Sequence, residues 1–148
     1  MDRPENIIDN KTPWVAKQIA KYIETDGAEP KFRYGSPLLL LTTQGKSSGK
    51  WRRTCLIGLE SDGNYLVVAS LGGAPKHPSW YVNLKANPRV WLQVGADEFW
   101  AIARDATPEE KPELWDAMVG VYPDYADYQK KTSRQIPVVV LEPEEPRA

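Results

Sequence analysis

The chain has 148 residues, 19 basic against 20 acidic side chains (net charge −1), one cysteine and one histidine. That length fits one domain, 1–148, with a core that removes on the order of two thirds of the unfolded surface from water. The near-zero net charge gives no global pull toward nucleic acid, lone Cys55 excludes an internal disulfide, and lone His77 excludes a zinc site needing two or three histidines.

The first ten residues, MDRPENIIDN, are polar and carry no leader pattern, and no apolar run approaches the ~18 residues of a membrane span, so a soluble cytoplasmic protein is expected. Residues 12–25 read as a helix: Thr12 stands at the cap, Pro13 suits the first turn, and Val15, Ile19, Tyr22 and Ile23 share one side opposite Lys17, Lys21 and Glu24. Such a helix packs on the domain or, since lysines flank its apolar side, makes weak contact with a membrane surface. Residues 37–43 form a strand whose continuous apolar run fits burial on both faces. Residues 53–60 form a second strand, Ser61-Asp62-Gly63-Asn64 a tight turn, and 65–70 a third strand, together an antiparallel meander. The stretch 71–78, LGGAPKHP, is too rich in glycine and proline for regular structure. A short helix follows at 79–87, capped by Ser79 and stopped at Asn87-Pro88. Residues 89–95 and 98–106 make a hairpin turning at Ala96-Asp97. Thr107-Pro108-Glu109-Glu110 opens a helix that runs to about Gly120: a cap, a first-turn proline, then acids at the positive end of the dipole. Residues 121–129 are short and helical or irregular, 136–143 form the last strand, and the tail EPEEPRA frays. The sum is an α+β fold of about six mainly antiparallel strands with flanking helices, closed or partly closed into a small barrel that hides its edges.

Three stretches carry the chemistry. TTQGKSSGKWRR at 42–53 sits in a region, 30–59, with six basic residues and no acid. Its linker exceeds the two to five residues of an ordinary hairpin. Gly45 and Gly49 allow N–H groups to gather as a nest, Ser47 and Ser48 add hydroxyls, and Lys46, Lys50, Arg52 and Arg53 add charge, so the loop is either an anion site or a solvated turn. No helix follows it, as a Walker loop requires. The second stretch, 69–88, has glycines that permit close approach to a flat ligand, and Trp80 and Tyr81 open a helix whose free N–H groups suit an anion. Alternatively it is a crossover loop with Trp80 plugging the core. In the third, YPDYADY at 122–128, Tyr122, Tyr125 and Tyr128 recur every three residues on one side of a helical turn, lining a pocket or packing on the barrel. Six tryptophans and seven tyrosines favour a pocket lined in part by aromatic rings. Cys55 reads as a small buried hydrophobe and His77 as a surface or rim residue.

In order, the chain presents a strand, a G-x-[ST]-[ST]-G-x-x-R loop, a strand, A-S-x-G-G-x-P-x-x-P-x-W-Y-x-N-L-x-A-N-P, A-R-D-A-T-x-E-E and Y-P-x-Y-x-x-Y. Over about residues 37–143 this resembles the deazaflavin-dependent nitroreductase family of actinobacteria. The resemblance implies a split β-barrel of the type that binds flavin mononucleotide (FMN), with coenzyme F420 as cofactor. It places Lys46, Ser47, Ser48 and Arg52 at the cofactor's phosphate and glutamate tail, with Gly49 shaping the loop. Leu56 and Ile57 would border the cofactor, Ala69, Ser70 and Leu71 run along its rings, and Trp80 and Asn83 close one side. Tyr122, Tyr125 and Tyr128, together with Trp80, match positions around the substrate, with Tyr125 also reaching the cofactor. Two departures stand out: Ser47 replaces a frequent second cation, for which Arg53 compensates in part, and Leu71 replaces a frequent Lys or Asn, making the pocket more apolar.

The implied reaction is hydride transfer to an activated C=C bond (an enone or unsaturated lactone), a quinone or a nitroaromatic. The proton comes from Tyr122, Tyr125, Ser70 or water. An FMN oxidoreductase on the same barrel is the first alternative, and it needs less positive charge. A small barrel binding nucleic acid is the second; it leaves the tyrosines and the Gly-Gly loop without a role. No metal is implied, and the chain is expected as a monomer or homodimer acting on a small electrophile.

Overall fold

In the computed structural model, which describes residues 2–28 and 32–145, the chain runs β1 (Ile8–Asp9), α1 (Pro13–Glu24), β2 (Leu38–Gln44), β3 (Trp51–Ile57), β4 (Leu59–Ser61), β5 (Asn64–Val68), α2 (Ser79–Ala86), β6 (Arg89–Val94), β7 (Asp97–Asp105), α3 (Lys111–Val121), α4 (Asp124–Lys130) and β8 (Val138–Pro143). The strands form one sheet ordered β1-β3-β2-β6-β7-β8-β5-β4, antiparallel except for the β1–β3 pair. It is an α+β split barrel.

The expected meander of 37–43, 53–60 and 65–70 does not form. Residues 53–60 are two strands, not one, broken at Gly58. Gly58 N–H donates to the Pro37 carbonyl (3.0 Å), and a Cβ there would sit 2.2 Å from Leu39 Cδ2, so only glycine lets the chain turn this close to β2. On one side of the corner β3 pairs with β2; on the other, β4 pairs with β5 at the far end of the sheet order. One residue thus carries the chain between opposite ends of the sheet and curls it into a split barrel whose outer strands, β1 and β4, are only two and three residues long, which keeps its edges short. Eight strands replace about six, partly through this break and partly through the two-residue β1, too short to register as a pattern.

The hairpin of β6 and β7 turns where expected, with Val94 opposite Asp97, and Ser61 faces Asn64 across the predicted turn. The helix expected from Thr107 begins at Lys111. Thr107 and Glu110 form a reciprocal cap before it: Thr107 N–H donates to Glu110 Oε2 (2.7 Å), and Glu110 N–H donates to Thr107 Oγ1 (3.2 Å). Likewise α2 has Pro78, not Ser79, at its cap position.

Strand periodicity sorts the core. Leu39 and Leu41 of β2 point into the barrel with Val67, Leu92, Ala101, Val139 and Leu141, and α2 adds Tyr81 and Leu84. Leu40, facing the other way, meets Val15, Ile19 and Tyr22 of α1 and Cys55 of β3. This is why the 37–43 run is apolar throughout: α1 covers its outer face. Burying each of these large side chains contributes about 1.5–3 kcal/mol. Val15, Ile19 and Tyr22 of α1 are therefore occupied by the barrel, while Ile23 and Trp14 of the same helix stay exposed. No helix among the described residues is long and apolar enough to cross a membrane. A third cluster joins Met118, Tyr122 and Tyr125 to Leu66, Val68, Val138 and Val140, seating α3 and α4 on β5 and β8.

Candidate active site

Between β3, the end of β5 and α4 lies a cavity of about 770 Å³. That is ample for a cofactor-sized ligand. Arg52, Arg53, Leu56 and Ile57 of β3 form its floor; Ser70, Leu71 and Gly72, then Trp80 and Asn83, form one wall; Tyr122, Tyr125 and Tyr128 form the other. The structure thus gathers eleven of the residues singled out from sequence into one space. It also adds residues that sequence reasoning missed: Lys11, Trp14, Phe32, Thr43 and Ser79.

Behind Ser70 the wall is a run of left-handed backbone at 71–73: Leu71 (φ 45°), Gly72 (φ 63°) and Gly73 (φ 83°). Leu71 pays strain that glycine does not, a feature typical of site loops. A Cβ on Gly73 would lie 2.7 Å from the Tyr128 carbonyl oxygen, so this loop touches α4 directly. Arg134, also unforeseen, reaches into the loop: Nε donates to the Ala74 carbonyl (2.9 Å), and the two Nη atoms to those of Ala69 (3.2 Å) and Ser70 (2.8 Å). Ala69 itself is fully buried beneath the loop and does not line the cavity.

The tyrosine wall spans two helices. Tyr122 ends α3, while Tyr125 and Tyr128 ride on α4. Tyr122 and Tyr125 rings meet edge-on at 4.9 Å, and the Tyr122 and Tyr128 hydroxyls are 3.2 Å apart. Burial pushes the Tyr122 and Tyr125 phenols above the ordinary range, so both stay protonated. For Tyr122 the hydrogen bond with Tyr128 adds to the effect. Outside them runs an aromatic rim: Phe32 stands 5.6 Å from Tyr122 and 6.3 Å from Trp14, and exposed Tyr34 stands 5.7 Å from Tyr122, its hydroxyl donating to Asp124.

The basic loop meets the cavity only at its edge. Lys46, Ser47, Ser48 and Gly49 are exposed and stand off the wall. The nest expected from the glycines is partly filled by the loop's own carbonyls: Gly45 N–H donates to the Lys50 oxygen (2.7 Å) and Gly49 N–H to the Gly45 oxygen (3.0 Å). Asn83 ties the loop to the cavity mouth, accepting from Lys46 N–H (3.0 Å) and donating to Thr43 Oγ1 (3.4 Å). Arg53, expected to replace a missing cation, is engaged with Asp9 (2.6 Å). Among the described residues Arg52 has no ion-pair partner, which leaves it as the floor's available cation.

Cys55 is buried, and its thiol is pushed up to about 12 by that burial, so it is inert at neutral pH. His77 is exposed at the rim. No cluster of three His, Cys, Asp or Glu side chains suited to a metal ion occurs among the described residues. The lining has two characters instead: Leu56, Ile57 and Trp80 present apolar surface, and Arg52, Lys11, Ser79 and Asn83 present donors.

A profile of the F420H(2)-dependent quinone reductase family matches residues 14–143. An F420H(2)-dependent quinone reductase of Mycobacterium tuberculosis is 43% identical over 108 residues, which is 71% of this chain and 72% of the relative. Among solved structures, one described as a domain-swapped dimer superposes with a TM-score of 0.69 at 44% identity, covering 90% of this chain and 100% of its own. An F420-H2 dependent reductase, FDR-A, superposes with a TM-score of 0.67 at 48% identity, covering 72% and 94%.

Proposed function

The chain belongs to the F420H(2)-dependent quinone reductase family, with coenzyme F420 as its cofactor, and we propose that its cavity brings reduced F420 against quinones, activated C=C bonds of enones and unsaturated lactones, and nitroaromatics. The observation that supports this most is the convergence of Arg52, Asn83, the loop at 70–72 and three tyrosines on one space.

When bound, the reduced deazaflavin supplies a hydride. Leu56, Ile57 and Trp80 hold its rings by apolar contact, and Ser70 and Leu71 border them. Arg52 takes the phosphate, and the loop at 46–49, with Ser47, Ser48 and Gly49 beside Lys46, meets the glutamate tail outside the mouth. The substrate lies against Tyr122, Tyr125 and Tyr128. As hydride reaches an electron-poor carbon, negative charge collects on the substrate's oxygen. A phenol kept protonated by burial donates a hydrogen bond to that oxygen and delivers its proton there, regaining one from water. We assign the first role to Tyr125, because the Tyr122 and Tyr128 hydroxyls share one hydrogen bond with each other. The exposed Leu71 keeps this end of the site apolar, which favours a hydrophobic electrophile.

Two measurements test the reading. Intrinsic tryptophan fluorescence, titrated with F420 and separately with FMN, is expected to quench with F420 at low micromolar concentration. Loss of reduced-cofactor absorbance is then followed with a panel of quinones, enones and nitroaromatics. Tight binding of FMN with none of F420 overturns the cofactor assignment. Turnover of quinones alone removes the enone and nitroaromatic classes.

A further inference from the structure

Arg134 lies between α4 and β8, outside every motif that pointed to the site. Its guanidinium nevertheless makes four contacts on one loop: the carbonyls of Ala69, Ser70 and Ala74, and His77 Nδ1 at 3.1 Å. Its own carbonyl accepts from Gln129 Nε2 (2.8 Å), while Gln129 Oε1 accepts from Ile136 N–H (3.0 Å). Gln129 belongs to α4, the helix that carries Tyr125 and Tyr128. Gly73 of the same loop approaches the Tyr128 carbonyl so closely that a Cβ does not fit. The two walls of the cavity are therefore joined at one point.

We propose that Arg134 is a positioning residue: its guanidinium fixes the loop at 69–77 against the tyrosine helix and so sets the surface on which the cofactor ring lies. The inference rests on the reading that the cavity is the cofactor site. The chemistry is specific to arginine. A planar fork spans several carbonyls at fixed angles, whereas a lysine ammonium is one point and cannot. Because guanidinium only donates, His77 Nδ1 must accept, so the imidazole is neutral with its hydrogen on Nε2. The groups around His77 are Arg134, Tyr81 (ring centroid 4.6 Å away), Asp105, Lys46 and Lys85. Partial burial and Arg134 lower its pKa, and Asp105 opposes them. Protonating His77 places a second cation against the guanidinium and loosens the loop, so clamping is complete above the ordinary histidine value and fades as pH falls toward the lower folded one.

The test uses Arg134→Lys and His77→Asn in the full chain. In cofactor-free Arg134→Lys, amide exchange across 70–77 is expected to accelerate at least tenfold while β6 and β7 keep their protection. The KM for reduced F420 is expected to rise about tenfold. A purely global loss of stability lowers the active fraction and leaves KM alone. Wild-type exchange and wild-type KM in Arg134→Lys overturn the proposal. If that variant does not fold, His77→Asn decides, since asparagine keeps an acceptor near the Nδ1 position but does not titrate. Wild-type affinity for F420 is expected to fall several-fold on acidification past the usual histidine range, since the folded His77 pKa lies below it, and the variant's to stay level. Identical pH profiles overturn the proposal. If wild type binds no F420, the cofactor reading fails, and the exchange experiment still decides whether Arg134 holds the loop.

Discussion

Asp9 and Arg53 face each other across the parallel pairing of β1 and β3 and join through two hydrogen bonds of 2.6 and 3.2 Å. The pair does two things. It holds the segment carrying Lys11 and Trp14 over the cavity, and it neutralises one of the two arginines on the floor. Replacing Asp9 with Asn frees that charge. The expected result is about threefold tighter F420 binding at low ionic strength, with the gain disappearing in high salt as the charges are screened. Asp9 is 40% exposed but Arg53 only 15%, so the variant should also lose about 1–3 kcal/mol of stability. Unchanged affinity at low salt would show that the ligand's anionic groups lie elsewhere.

Arg52 is the complementary case. It is exposed, lines the cavity and, among the described residues, has no ion-pair partner. Arg52→Ala should weaken F420 binding about tenfold, the equivalent of one charge-assisted contact of ~1.4 kcal/mol. Thermal unfolding should move by no more than a degree or two. Wild-type affinity in this variant removes the anion role from the floor.

The tyrosines separate by their partners. Tyr125→Phe should lower kcat with a quinone or enone by ~10²-fold, the lower range for a general acid. Tyr128→Phe should cost less, because it removes only the hydrogen bond to Tyr122. Single-turnover rates distinguish the chemical step from release. If no Tyr→Phe change exceeds twofold, Ser70 or water supplies the proton, and Ser70→Ala separates the two.

Gly58→Ala tests the corner. The new methyl would sit 2.2 Å from Leu39 Cδ2 and 2.5 Å from its Cγ, and Leu39 is 1% exposed with no room to swing. Overpacking of this kind costs about 1–3 kcal/mol. A fall in Tm of several degrees is expected. A Tm within one degree of wild type would mean that β2 yields at this point.

Acid stability should depend on Glu110. Its hydrogen bond with Arg104, aided by the Thr107 N–H, holds its carboxyl down at about 2. The unfolded carboxyl titrates near 4.5, so the unfolded state binds more protons between those values. The stabilisation is complete above about pH 4.5 and is lost as pH falls through 2. Because the pair is solvent-screened, the whole effect is under about 1 kcal/mol. Glu110→Gln should flatten the acid limb of stability measured by denaturant unfolding, and an unaltered limb would refute the assignment.

Much of this was legible in the residues themselves. The β6–β7 hairpin, the α2 stop at Asn87-Pro88 and the Thr107–Glu110 cap are local events, each set by neighbours in sequence. The tyrosine triplet and Trp80 line the cavity, while Tyr122 and Tyr125 also pack into the core beside β5 and β8, so both readings their spacing left open are met. What was illegible is non-local. Residues 53–60 have strand composition interrupted only by Gly58, and the proximity of Leu39 is what makes that glycine a corner. Arg53 looks as free as Arg52 until β1 brings Asp9 beside it. Arg134 sits in the polar stretch TSRQ, where nothing marks it; its partners are 57 to 65 positions away.

The position of β8 gives the site a history. In the sheet β8 lies between β7 and β5, and the Pro137 carbonyl just before it accepts the Ala69 N–H (3.0 Å). During synthesis, β4 and β5 leave the ribosome early but have only each other as strand partners until residues 138–143 emerge. A lone hairpin is marginal in water. The loop at 69–77 acquires Arg134 and β8 in the same late stretch of chain. A nascent polypeptide that has completed β7 and α3 already holds most of the barrel, yet it has no wall for a cofactor to rest on. Ligand capture by this cavity thus waits for residues 134–143, so ligand binding reports that the chain has been made through β8.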